Sequence, residues 1–174
     1  FSRLKKSQKI DNEFVYKALP LAIQAKNNVV KKDPYEKKKI RHVLNLGHTF
    51  AHAMESCFQI SHGEAVLYGL VFSLIWSRSD KIISEKEFEN IIQSSSWPLS
   101  FQSEVYHQLL RAPAEQVKKS ILQDKKKNLS GELLEPFIRG QGKVFLKRVK
   151  VNDFISEFKR QRNLTQKAFY ASEH

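Results

Sequence analysis

RHVLNLGHTFAHAMESCFQISHGEAV, residues 41–66, is the stretch on which the reading of this chain turns. It holds four of the six histidines, at spacings that packing alone does not ask for. Each residue advances roughly 100° about a helix axis, so Arg41, Asn45, His48 and His52 fall within about 60° of one another. One helix through the stretch would present a guanidinium, an amide and two imidazoles along a single stripe. Val43, Leu46, Phe50, Ala53, Met54 and Cys57 gather on the opposite side, the arc a core requires. A solvated face is ordinarily filled with Lys, Glu and Gln, which cost little in helix propensity and stay hydrated. This face carries groups that titrate, ligate or hydrogen-bond in fixed directions.

A short connection, Gln59-Ile60-Ser61, separates this helix from a second apolar run that opens with His62-Gly63-Glu64. A histidine at the start of one helix can face a histidine of its neighbour across a tight corner, and that geometry suits a divalent metal. Imidazole nitrogen is a good zinc ligand, and a catalytic zinc takes three protein ligands and leaves one position open. His48 and His62 supply two, and a third, a carboxylate, must come from elsewhere. Taken singly, helix histidines are more often surface or satisfied core residues than ligands. Spacing by itself therefore leaves both readings standing.

The exact string adds to this. It resembles the signature of the 3-dehydroquinate synthase family, R-x-x-L-N-x-G-H-T-x-G-H-A-x-E followed by H-G-E-A-V. Arg41, Leu44, Asn45, Gly47, His48, Thr49, His52, Ala53, Glu55, His62, Gly63, Glu64, Ala65 and Val66 match it. Ala51 departs from it, placing a methyl group where the family has glycine and putting close helix packing there in question.

The rest of the chain is consistent with one domain over residues 1–174, at 41% hydrophobic and 28% charged residues. Phe1 stands where a methionine would, so a fragment of a longer protein is expected. The lone Cys57 excludes an internal disulfide. With no apolar run of ~18 residues and no leader pattern, a cytoplasmic protein with no membrane partner is expected. The net charge of +12 raises the question of nucleic acid. Its lysines are spread in short groups without a zinc-finger or aromatic RNA-binding signature, which argues against that partner. A basic balance also suits a small anionic substrate.

A helix is expected from Asp11 or Asn12 to about Lys32, broken or kinked at Pro20. Lys26 within it lies in AIQAKNNVVKKD, which resembles the family's K-x-x-V-V-x-x-D. Asp33-Pro34 closes the helix, and DPYE, with Glu36, resembles the family's D-x-x-E at a spacing one residue longer. In a lysine-rich loop Glu36 also reads as plain surface. The run from Val66 to Trp76 should be a buried central helix, and Ser84-Glu85-Lys86-Glu87 has the capping-box pattern that starts another. Short helices are expected over residues 104–110 and 113–122, with His107 structural. Residues 133–138 and 144–146 can pair as a hairpin across Gly140-Gln141-Gly142. A final helix, from Asn152 or Asp153 to about Arg162, precedes a polar tail without periodicity. Gln123-Asp124-Lys125-Lys126-Lys127 resembles the family's D-K-K stretch, and as a bare charge run it is solvated surface.

The resemblance implies a mainly α fold, the helical C-terminal domain of a dehydroquinate synthase with a short hairpin near 132–147. The family's NAD-binding α/β domain would lie upstream, and no glycine-rich dinucleotide fingerprint occurs here. The family's third metal ligand, a glutamate in an E-x-x-K segment, would also fall upstream of Phe1. Neither a complete metal site nor an NAD site is therefore expected in this chain alone.

The family uses NAD and a divalent metal, zinc or cobalt, to convert the phosphorylated sugar acid DAHP to 3-dehydroquinate and phosphate in the shikimate route to aromatic amino acids. By position, His48 and His62 would ligate the metal, and Arg41 and Lys26 would hold the substrate carboxylate. Asn45, His52 and Lys125 or Lys126 would meet the phosphate, with His52 and Glu36 as proton-transfer groups. A homodimer is the implied assembly of the intact protein. Alternatives are a sibling sugar-phosphate cyclase making an inosose or valiolone, a metal-dependent polyol dehydrogenase, and a noncatalytic helical interaction domain.

Overall fold

The computed structural model describes residues 12–94, 104–124 and 131–171. Helix α1 (Asn12–Lys32) leads through a loop to a 3₁₀ helix (Ile40–Asn45), which runs into α2 (His48–Glu55) and α3 (His62–Ser79). Helices α4 (Glu85–Ser94), α5 (Glu104–Leu110) and α6 (Ala114–Asp124) follow, then strands β1 (Glu132–Gly140) and β2 (Lys143–Lys150), then α7 (Val151–Ala171). The fold is mainly α with one antiparallel hairpin, as expected, registered from Glu132 opposite Lys150 to Gly140 opposite Lys143. Among the described residues no helix is long and apolar enough to cross a membrane. Lys125, Lys126 and Lys127, Asp11 and the loop around Pro98 lie outside the described residues.

The central helix is α3, which buries Ala65, Tyr68, Gly69, Val71, Phe72, Ser73, Leu74, Trp76 and Ser77. Its aromatic rings knit the core. Phe72 stacks on Phe50 of α2 at 4.9 Å and meets Phe154 of α7 at 5.0 Å, while Trp76 meets Phe137 of β1 edge-on at 4.9 Å. Such pairs contribute about 0.5–1.5 kcal/mol each beyond the area they bury. Two polar ties add direction to this packing: Ile138 N–H donates to the Ser77 hydroxyl, and Thr49 of α2 donates to the buried Glu135 carboxylate of β1 at 2.7 Å.

Three local expectations are corrected. The stretch 41–57 is not one helix: the 3₁₀ helix ends at Asn45, and Gly47 turns the chain with φ of +80° before α2 begins. The cause is tertiary, because Gly47 packs backbone to backbone against Gly69 of α3. Val43, Leu46 and Cys57 are in consequence only half-buried, whereas Phe50, Ala53 and Met54 reach the core. Of the break or kink expected at Pro20, the break does not occur, since helix α1 passes through it. Proline removes the N–H that would bond the Tyr16 carbonyl, and no residue of α1 is buried, so water can satisfy that carbonyl.

The third correction concerns the C-terminal end, where α7 continues well past Arg162. Its buried stripe runs on through Phe154, Phe158, Gln161 and Thr165. The last two are polar, which hides the period from a hydropathy reading. Ala51, with its extra methyl, is fully enclosed in the core.

Candidate metal and substrate site

The site is built at the corner between α2 and α3. Glycine at 47 and at 69 lets the two backbones touch: a Cβ on Gly69 would stand 2.0 Å from the Gly47 carbonyl oxygen. This contact fixes where α2 starts and therefore where His48, its first residue, emerges. At the other end of the corner Ser61 caps α3, accepting from Glu64 N–H while its hydroxyl donates to the Glu64 carboxylate at 2.7 Å. That N-cap sets the backbone of His62, the first residue of α3.

Three imidazoles meet there. Ring centroids are 5.5 Å apart for His48 and His62, 5.9 Å for His48 and His52, and 6.0 Å for His52 and His62. Two imidazoles on one tetrahedral zinc, with nitrogens at roughly 2.0–2.1 Å, have centroids about 5 Å apart. The three rings are thus neighbours at a spacing somewhat wider than one shared ion would impose.

The hydrogen bonds decide which ring nitrogens are left free. His48 Nδ1 lies 3.2 Å from the Leu46 carbonyl oxygen, which can only accept, so Nδ1 carries the proton and Nε2 is left with its lone pair. His62 Nδ1 is in the same way 3.1 Å from Glu55 Oε1. Donor atoms of His52, Glu55 and His62 lie within 4.8 Å of one another. His48 is not in that group; two imidazoles and a carboxylate are donor types that zinc or a similar divalent ion accepts.

Arg41 and Asn45 arrive on the 3₁₀ helix just ahead of α2. Asn45 is exposed, and Arg41 is half-buried with its Nε fully covered and lacking a hydrogen-bond partner among the described residues. A buried guanidinium nitrogen without an acceptor is costly, and the planar fork of an arginine suits a carboxylate.

The loop that delivers Arg41 is held by Asp33, buried to 2% exposure, whose carboxylate accepts from Lys38 N–H and Ile40 N–H, each at 3.0 Å. Burial by itself would raise the Asp33 pKa; the backbone donors of Lys38, Ile40, Arg41 and Lys37 outweigh it and hold the carboxyl below the usual range. Within this loop Glu36 and Lys39 adopt left-handed backbone at φ of 56° and 60°, a conformation that costs non-glycine residues about 1–2 kcal/mol.

Of the residues singled out from the sequence, the structure gathers His48, His52 and His62. It sets Arg41 and Asn45 immediately before them and leaves Lys26 exposed on α1 and Glu36 exposed in the loop. Glu55 matched the signature without a role, and its contact with His62 supplies one. Asp33 fell within the matched K-x-x-V-V-x-x-D and D-x-x-E patterns without a role, and Gly69 had no signal in the sequence, since each acts through backbone contacts that only the fold creates.

The 3-dehydroquinate synthase C-terminal family model matches residues 1–127. Among curated relatives, the 3-dehydroquinate synthase of Endomicrobium trichonymphae is 33% identical over 140 residues, covering 77% of this chain and 36% of that protein. The enzyme of Leptospira interrogans is 30% identical over 164 residues, covering 91% of this chain and 43% of that protein. The chain thus spans less than half the length of these relatives. A solved structure of 2-deoxy-scyllo-inosose synthase, complexed with carbaglucose-6-phosphate, NAD+ and Co2+, superposes with a TM-score of 0.68 at 19% identity. That likeness covers 92% of this chain and 46% of the other and shows a shared fold. With the signature, the fold and these relatives in agreement, the chain belongs to the 3-dehydroquinate synthase family, as its C-terminal domain.

Proposed function

We propose that this chain is the metal- and substrate-binding part of a 3-dehydroquinate synthase that converts DAHP to 3-dehydroquinate and phosphate. The observation that carries the reading is the meeting of three imidazoles, centroids no more than 6.0 Å apart, directly after Arg41 and Asn45. His48 and His62 would hold a divalent metal, zinc or cobalt, through Nε2. Bound there, the ion supplies Lewis-acid polarisation of a substrate hydroxyl, and NAD, carried mainly by an N-terminal domain, supplies the hydride chemistry.

The chain's own residues bind and orient. The planar fork of Arg41 matches a carboxylate, and Lys26 adds a second cation toward it. Asn45 donates its amide N–H to a phosphate oxygen, joined by Lys125 or Lys126. His52 faces the same phosphate and can pass it a proton as it departs, and Glu36 is the second proton-transfer group. The substrate is in this reading a small phosphorylated sugar acid.

The test is phosphate release from DAHP by the full-length gene product containing this chain, supplied with NAD and zinc. Release that stops with a chelator and returns with zinc or cobalt is the expected result. Release only from a sugar phosphate lacking the carboxylate, of the kind bound by the inosose synthase neighbour, would move the assignment to a sibling cyclase. No release from either, with NAD and metal bound, would leave a polyol dehydrogenase or a noncatalytic domain.

A further inference from the structure

We propose that Glu55 is a positioning residue for the metal: its carboxylate fixes the ring of His62 so that Nε2, and not Nδ1, is offered to the ion. The inference rests on the ligand role given to His62 above and deepens it. Glu55 is the last residue of α2 and His62 the first of α3, so the 3.1 Å contact from Glu55 Oε1 to His62 Nδ1 spans the whole corner.

The other carboxylate near the ring in sequence, Glu64, is taken up by the Ser61 hydroxyl at 2.7 Å. Glu55 is thus the side chain hydrogen-bonded to the imidazole. An ionised carboxylate can only accept, which places the proton on Nδ1 and turns the Nε2 lone pair outward. A carboxylate behind a ligating imidazole also raises its basicity, and removing such a partner typically costs 10–100-fold in metal affinity.

The magnitudes separate this role from a structural one. Side-chain exposures are 57% for His62 and 29% for Glu55, and solvent-exposed ion pairs add little to folding. Removal of the carboxylate should therefore leave stability in place while loosening the metal. His48 has a counterpart device in the Leu46 carbonyl at 3.2 Å, but that acceptor belongs to the backbone and cannot be removed by substitution. Glu55 is the adjustable member of the pair.

The experiment measures Co2+ affinity and the visible absorption of the Co2+-loaded full-length protein for wild type, Glu55→Ala, Glu55→Gln and His62→Ala, with urea unfolding of each. The expected result is a 10–100-fold weaker affinity for Glu55→Ala at unchanged unfolding midpoint of the metal-free protein and unchanged band positions at saturation. Glu55→Gln, which keeps an acceptor, should recover most of the loss. Wild-type affinity in Glu55→Ala, alongside lost binding in His62→Ala, overturns the positioning role and leaves the ligand assignment intact. Shifted bands in both Glu55 variants would make Glu55 a direct ligand and overturn it also. Full binding by His62→Ala would remove the ligand assignment and the proposal with it.

Discussion

Arg41 holds a cation where no described residue offers its Nε an acceptor. If its fork receives the substrate carboxylate, Arg41→Lys keeps the charge and loses the paired geometry. Hydrogen bonds to charged groups contribute about 1.5–3 kcal/mol, so kcat/KM for DAHP should fall roughly ten- to a hundredfold. An unchanged value in steady-state kinetics would remove Arg41 from the carboxylate site. Asp33 acts one step behind. Its folded pKa is depressed by the backbone donors that outweigh its burial. The stability it gives is therefore complete above the unfolded carboxylate pKa of about 3.9 and is lost as pH falls through the lower folded value. Asp33→Asn should abolish that acid-side dependence in denaturation free energies taken between pH 7 and pH 3. A variant curve parallel to wild type would show that the clamp does not couple to folding.

The contact between α2 and α3 is a matter of elements, and two glycines govern it. A Cβ on Gly69 would meet the Gly47 carbonyl at 2.0 Å, and the obstructing atoms are backbone, which cannot swing aside. Gly69→Ala should cost about 1–3 kcal/mol in urea unfolding and weaken metal binding, because His48 is carried on α2. A Cβ on Gly63, one residue beyond His62, would meet nothing within 4 Å. Gly63→Ala should be neutral or stabilising by up to about 1 kcal/mol. An effect of Gly69→Ala as small as that of Gly63→Ala would mean that the helices are free to separate. This contact also marks what the sequence could and could not disclose. The apolar run of α3, the capping box at Ser84 and the glycine-bracketed hairpin are local patterns, and each formed where its residues indicated. The histidines were legible because imidazoles on a helix stripe are chemically out of place on a solvated face. The break at Gly47 was not legible, since its cause is a residue on another helix. The length of α7 was hidden for a related reason, its buried stripe ending in Gln161 and Thr165.

At the scale of the molecule, the wall behind the site is tied by one buried polar network. The Tyr106 hydroxyl of α5 donates to Gln161 Oε1 of α7, and Gln161 Nε2 donates to the Phe72 carbonyl of α3 and to Glu157, which also holds Arg160. Phe72 in turn stacks on Phe50 of α2, so the network lies one layer behind the helix that bears His48. Burial, then the Glu157 carboxylate, push the Tyr106 hydroxyl far above the ordinary phenol range, with Arg160 opposing in part. A folded pKa raised above the unfolded value, about 10, gives stability that is complete below that pH and lost as pH rises toward the folded value, because the unfolded chain then releases a proton the folded one keeps. Unfolding free energy should therefore decline above about pH 10, and Tyr106→Phe should flatten that decline. At neutral pH the same variant should be less stable by about 1–3 kcal/mol, since the Gln161 carbonyl loses its donor. Wild-type and variant curves that run parallel through the alkaline limb would show that Tyr106 reaches solvent before the core opens, and that α5 is not fastened to α3 and α7 as one unit.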